Sequence, residues 1–309
     1  MQRIRLVDLP ERAARLQGLL SGQIDVAYQL SPDQIDQIKR ANMKVLVTPA
    51  PQVMSLAFVT EGKDSPVKDA RVRLAMNYAV NRQAIADVLL AGLGKAAGQG
   101  ATPSAYGYNT NLKPMAYDPA QAKALLAQAG FPNGFALTAD VVVNTFPADS
   151  EIYQQMASDL EAVGIKTTLR QITFAEWLPK YNANTWEGQA FGLSWNTTPT
   201  MDSSRPFLTS FSCLKKPAFF CDQAMVPLIE SAMREFDPAK RKDLLFKIHE
   251  ETQKNPPALF LVEQIDVMGT SAAVDNFTFF NRTALYDLDR KSTRLNSSHI
   301  PLSRMPSSA

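Results

Sequence analysis

The chain has few of the residues that most catalytic and metal sites require. Its 309 residues include two histidines and two cysteines. A Cys/His metal site is the less favoured reading, because Cys213 and Cys221 have no further cysteine to join them and His249 lies far along the chain from them. The sequence contains no His-Glu-x-x-His and no Gly-x-Ser-x-Gly. Gly92-Leu-Gly94-Lys95 misses the phosphate-loop pattern, because Leu89 stands where its first glycine belongs and Ala96 where its Ser or Thr belongs. No apolar run approaches the ~18 residues of a membrane span. Basic pairs such as Lys39-Arg40 and Arg241-Lys242 are isolated and form no stripe for nucleic acid. A nucleophilic relay would have to use His249, which lies between charged residues in a helical stretch and reads as a solvated surface histidine.

The net charge of +2 and the pI of 8.4 carry no functional signal. Residues 289–299 read Asp-Arg-Lys-Ser-Thr-Arg-Leu-Asn-Ser-Ser-His, which resembles one reading frame of a common high-throughput sequencing adapter. Residues 300–309 continue with no apolar period. The native chain is therefore expected to stop near Leu288, with a disordered polar C-terminus as the second reading. Without the four basic residues and one acidic residue beyond Leu288, 28 Lys+Arg stand against 29 Asp+Glu, a net charge of −1. His299 belongs to the same tail. The start, Met1-Gln-Arg-Ile-Arg, holds no signal peptide, and a strand-like Ile4–Val7 opens in mid-pattern, so truncation at the front is expected as well.

What is present is ordinary globular composition, with 45% apolar and 20% charged residues. Pro10–Ser21 carries Ala13, Leu16, Leu19 and Leu20 on one helical face and is stopped by Gly22. Ile24–Tyr28 reads as a strand. Ser31-Pro32 caps a helix reaching Ala41. Lys44–Thr48 and Met54–Thr60 read as two strands broken at Pro49–Pro51. Helices follow at 69–80 and 82–90, divided at Asn81, and residues 91–111 read as a long loop. Further helices are predicted at 118–129, 150–163, 174–181, 225–236 and 240–253. Strands are predicted at 137–143, 165–172, 190–195 and 258–262. The alternation makes the class α/β. Cys213 and Cys221 lie eight positions apart on a proline-containing loop. They could close a small ring worth roughly 2–3 kcal/mol in an oxidising compartment, or remain two loop thiols in a reducing one.

Several stretches together resemble the extracytoplasmic solute-binding proteins of peptide-type ABC importers, family 5. These are Pro10–Asp25, Asp69–Arg82, Tyr117–Phe131 with its Ala-Lys-Ala-Leu-Leu, Leu160–Lys166, and Ala175-Glu176-Trp177. Phe211-Ser-Cys213 and Phe220-Cys221 resemble the paired-cysteine loop of the dipeptide branch. The resemblance covers about residues 4–280. It implies a periplasmic-binding-protein-like two-lobe fold of the peptide-binding cluster, in which this chain supplies most of the second lobe. Residues 1–60 would end the first lobe and cross the hinge, 61–257 would form the second lobe, 258–288 would return to the first, and 289–309 would be the non-native tail. It also implies an extracytoplasmic, monomeric receptor that is not an enzyme. No cofactor, metal or nucleic acid is expected. Its partners would be a peptide or small-solute ligand and the membrane permease subunits. Hydrolase and peptide-binding chaperone are the alternatives. The Cys213–Cys221 bridge is implied by the same likeness.

Trp195 ends a strand and opens a loop, where ligands of α/β sheets usually meet the protein. Trp195 is expected to pack on the solute, or to be a core residue. Asn196, Thr198 and Asp202 are expected to supply polar contacts, with Asn144 and Phe146 from the neighbouring strand end. The family holds the ligand's ammonium with an acidic residue in this loop; here that role falls to Asp202, or the ligand lacks a free amine. The family's arginine for the ligand carboxylate has no counterpart near Val143–Phe146, so a strict dipeptide ligand is not expected.

Overall fold

The computed structural model describes residues 4–277 except 63, 199, 210 and 276. The tail at 289–309 and the last residues of the expected return segment lie outside the described residues. In chain order the main elements are α1 (Arg12–Leu20), β1 (Val26–Ala27), α2 (Ile35–Arg40), β2 (Lys44–Phe58), α3 (Ala70–Ala79), α4 (Arg82–Ala84), β3 (Lys95–Ala96), α5 (Pro119–Gln128), β4 (Phe135–Val141), α6 (Asp149–Glu161), β5 (Ile165–Gln171), α7 (Phe174–Ala183), β6 (Ala190–Asn196), α8 (Arg205–Thr209), α9 (Val226–Arg234), α10 (Pro238–Lys254) and β7 (Ala258–Thr270). A five-residue π-helical turn, Ile85–Leu89, continues α4.

The chain forms two compact units, one of residues 1–48 with 266–309 and one of residues 49–265. It passes between them twice, inside β2 and inside β7. In the first unit β1 pairs antiparallel with the end of β7, Val26 opposite Thr270 and Ala27 opposite Gly269. Leu16, Leu19, Leu30 and Ile38 are buried there together with Val267 and Met268. No strand forms at Ile4–Val7; Leu6 and Val7 are exposed, so apolar character without a pairing partner does not make a strand.

The second unit is built on the sheet order β7-β2-β6-β4-β5, with β3 on β7. β4 and β5 run parallel over seven residue pairs, joined through α6, and β2 and β6 run antiparallel over seven. Helix starts follow the local capping chemistry. Asp69, Asn81, Asp118, Thr173 and Asp237 each accept a backbone N–H of the helix they precede, and prolines open α5 and α10. Arg73 and Arg82 are buried, and desolvation lowers each pKa to about 10. Backbone carbonyls satisfy them: Arg73 donates to Val67, Lys68 and Pro256, and Arg82 to Asn77 and Phe260. They tie the α3–α4 turn to β7 and are scaffold.

Three sequence expectations are corrected here. Pro49 and Pro51 do not break the strand, and Lys44–Phe58 is continuous. Both prolines face the same edge, and pairing with β6 on that edge begins only at Gln52 opposite Asn196, so their missing N–H groups leave no rung empty. The final strand runs on to Thr270 instead of ending at Val262. His249 is fully buried in α10, not solvated. The charged residues flanking it occupy the helix's outer face, while His249 shares the inner face with Leu245, Ile248 and Thr252.

Candidate functional site

Strand β6 parts from β4 soon after it begins. The two pair only at Ala139–Ala190 and Asp140–Phe191. Beyond that point β6 lacks a strand neighbour on this side, and helix α7 fills the gap. Its start is fixed by a capping box: Thr173 N–H donates to Glu176 Oε2 at 2.7 Å, and Glu176 N–H donates to Thr173 Oγ1 at 3.2 Å. Phe174, Trp177 and Tyr181 then fall on one stripe of the helix. Phe174 and Trp177 stack with centroids 5.8 Å apart, and Trp177 and Tyr181 at 4.7 Å. Trp177 Nε1–H donates to the Gly192 carbonyl at 2.9 Å, taking up an acceptor that β4 leaves free.

Where the strands part lies a cleft of about 540 Å³, within the range of small-ligand sites. Its walls are the α7 stack, residues 193–196 at the carboxyl end of β6, α8, and Phe211 with Lys215. The lining holds two cations, Arg205 and Lys215, and no carboxylate. Arg205 Nη1 donates to the Asn196 carbonyl at 2.9 Å. Lys215 Nζ donates to the Tyr181 carbonyl at 3.2 Å and sits 3.8 Å from the centroid of the Tyr181 ring. Partial burial pulls the Lys215 amine below its ordinary range. Neither cation makes an ion pair among the described residues. An apolar, stacked wall with two cations that form no ion pair among the described residues, and the Asn196 amide, suits an aromatic or aliphatic solute with an anionic end. The lining contains no His, Cys, Asp or Glu. Among the described residues no group of three or more His, Cys, Asp or Glu could hold a metal, and no helix is long and apolar enough to cross a membrane.

Of the residues singled out from sequence, Trp195 and Asn196 border this cleft and the others do not. Trp195 is only 1% exposed and stacks on Phe211 at 4.0 Å, so it belongs to the core. Asn144 is exposed at the end of β4, and the backbone N–H groups of Asn144, Thr145 and Phe146 all donate to the buried Asp149 carboxylate. That turn is a helix-start anchor for α6. Thr198 N–H donates to Asn196 Oδ1 at 2.8 Å, closing a local turn.

Asp202 is not free to take an ammonium group. Its Oδ2 receives Arg241 Nη1 at 2.6 Å, and its Oδ1 receives the Ser204 N–H and Oγ–H. Burial pushes the carboxyl up, but the Arg241 and Ser204 hydrogen bonds outweigh it and hold the group below its usual range. Asp202 therefore clamps the β6–α8 loop to α10. Asp202→Asn is expected to cost about 1–3 kcal/mol of stability, the scale of a hydrogen bond to a charge, and to leave any discrimination between ligands with a free amine and their N-acetylated forms unchanged. A denaturation curve beside paired titrations checks both parts; altered discrimination at full stability would return Asp202 to the ligand.

The sequence reading names none of Phe174, Tyr181, Arg205 and Lys215 as site residues, and uses Trp177 only for the family resemblance. One signal was available: the aromatic spacing 174, 177, 181 on a helix that has no fully buried residue.

The cysteines are joined, with Cα atoms 4.6 Å apart. Within the ring, Phe219 and Phe220 are buried, the Ala218 carbonyl accepts Asn184 Nδ2–H at 2.7 Å, and the Phe219 carbonyl accepts the Thr60 N–H at 2.7 Å.

Comparison with known proteins accords with this architecture. The family model described as bacterial extracellular solute-binding proteins, family 5 Middle, matches residues 1–214. A dipeptide-binding protein of Pseudomonas aeruginosa is 26% identical over 286 residues, covering 89% of this chain and 53% of that protein. The glutathione-binding protein GsiB of Escherichia coli K12 is 26% identical over 89% of this chain and 54% of its own length. Among solved structures, the periplasmic binding protein DppA of Helicobacter pylori, in complex with the peptide STSA, superposes with a TM-score of 0.79 at 24% identity, covering 89% of this chain and 54% of that one. The chain thus spans about half the length of the relatives it matches. With its alternating α/β order, its cysteine-closed loop and a family match over more than half its length, the chain belongs to family 5 of the bacterial extracellular solute-binding proteins.

Proposed function

We propose that the chain is the ligand-holding part of the solute receptor of an ABC importer, and that it takes a short peptide or related solute through a free carboxylate in the α7–β6 cleft. The single observation that carries the reading is the pair of cations, Arg205 and Lys215, without an ion pair among the described residues, in an aromatic cleft lined by no carboxylate. The relatives' names, dipeptide-binding and glutathione-binding, support the peptide class. The receptor works by binding alone: the solute favours a closed arrangement, and that form delivers it to the membrane permease. In this reading the hinge lies at the two passages between the units, 48/49 and 265/266. The receptor acts outside the cytoplasm and as a monomer.

Thermal shift with di- and tripeptides, glutathione and their C-terminal amides tests the proposal. At a hundredfold excess over Kd a ligand adds about 2.7 kcal/mol to stability, a clear rise in Tm. Free acids are expected to raise it and amides not. Arg205→Gln is expected to weaken the best free acid by about 10–100-fold, the cost of one charge-assisted hydrogen bond. Equal shifts with acids and amides, or an Arg205→Gln chain that binds as before, would overturn the reading.

A further inference from the structure

Lys215 reaches the cleft from inside the disulfide ring. The ring has two unequal halves. Ala218–Phe220 is anchored on its own: two phenylalanines are in the core, and Asn184 and Thr60 hold the Ala218 and Phe219 carbonyls. Residues 213–216 have much less. Leu214 and Lys216 are exposed, and among the described residues this half is held, apart from the Lys215 contacts, through Ser212, whose Oγ accepts the Leu214 N–H and whose carbonyl accepts the Lys215 N–H. The covalent link from Cys213 to Cys221 is what fastens this half to the anchored one. Lys215 then lies over two rings, 3.8 Å from the Tyr181 centroid and 5.0 Å from that of Phe219. A lysine side chain carries about 2 kcal/mol of rotamer entropy, so holding it over the stack needs a fixed backbone.

We propose that Lys215 is a specificity-determining residue for anionic ligand groups and that the Cys213–Cys221 bridge positions it, so that opening the bridge lowers the cleft's preference for negative charge to what Arg205 alone supplies, without emptying the cleft. The inference rests on the cleft assigned above, but its test needs no solute. Arg205 remains when the ring opens, because α8 and its bond to Asn196 lie outside the ring. The ring-opened protein therefore resembles a Lys215 variant and not a collapsed site.

Tryptophan quenching in the full chain measures the local charge. Trp186 and Trp195 are 2% and 1% exposed, so quencher-accessible emission comes from Trp177 on the cleft wall. Iodide is an anion and acrylamide is neutral. Lys215→Met is expected to lower the iodide quenching constant by about two-fold, the effect of one charge several ångströms away in screened water. It should leave acrylamide quenching unchanged, and Lys215→Arg should keep the iodide value. Cys213→Ser/Cys221→Ser is expected to match Lys215→Met. If that double variant loses its circular dichroism signal, the folded wild-type chain, reduced and alkylated, replaces it in the comparison. Iodide quenching that survives ring opening would overturn the positioning role, and a Lys215→Met chain that quenches like wild type would overturn the charge role. Failure of every peptide to bind would instead count against the proposed function and leave this quenching result standing.

Discussion

Trp195→Ala is expected to cost about 3–5 kcal/mol of stability, the range for truncating a large buried aromatic. The indole is 1% exposed, stacked on Phe211 at 4.0 Å and set edge-on to Phe207 and Phe260 at 5.6 and 4.9 Å. On another side the backbone at Gly100 closes in: a Cβ there would lie 2.1 Å from indole Cε3, so only glycine fits. Its Nε1–H has no hydrogen-bond partner among the described residues, so Trp195→Phe removes less volume and also removes an unpaired donor. The phenylalanine variant is therefore expected to lose much less than the alanine one. Urea unfolding followed by circular dichroism gives both values. A Trp195→Ala loss below about 1 kcal/mol would show that the ring is not a core residue. Any fall in ligand affinity in the alanine variant reports a damaged wall of the cleft, and only the phenylalanine variant can report a contact with solute.

Stability is expected to fall by about 3 kcal/mol between pH 6.5 and pH 4 on account of His249 alone. The side chain is fully buried, its ring meets Phe207 edge-on at 5.5 Å, and neither ring nitrogen has a hydrogen-bond partner among the described residues. Burial lowers its pKa from 6.5 to about 4. The folded state therefore keeps a neutral imidazole in a range where the unfolded chain binds a proton. The contribution is complete above pH 6.5 and is lost as the pH falls through 4, because protons then favour the unfolded chain. Carboxylates elsewhere add their own acid dependence, so the difference between wild type and His249→Leu isolates this one. Unfolding free energies at pH 7.5, 5.5 and 4.5 should run closer to flat in the variant over the upper part of the window. Parallel profiles would mean that the imidazole finds a proton partner in the folded protein.

The elements of this fold whose signals lie within a few neighbouring residues were legible in the sequence. Asp118-Pro119 and Asp237-Pro238 start α5 and α10 because a side-chain oxygen and a fixed φ act on the next turn. The alternation of helices and strands, the Cys213–Cys221 ring and the family's segment order are local or nearly so. The misreadings arise where distant segments meet. Pro49 and Pro51 look like a break until the register shows that β6 has not yet arrived opposite them. His249 looks solvated until α10 is seen to turn that face inward, and Asp202 looks available until Arg241, 39 residues later, closes on it. The cleft lies where β4 and β6 part after pairing at two positions, with α7 packed on Gly192 beyond them. Backbone preference and capping act over one helical turn and can be read from residue order. Burial, pairing register and the coming together of Trp177, Arg205 and Lys215 depend on segments brought close only by the folded chain, and these the tertiary structure alone decided.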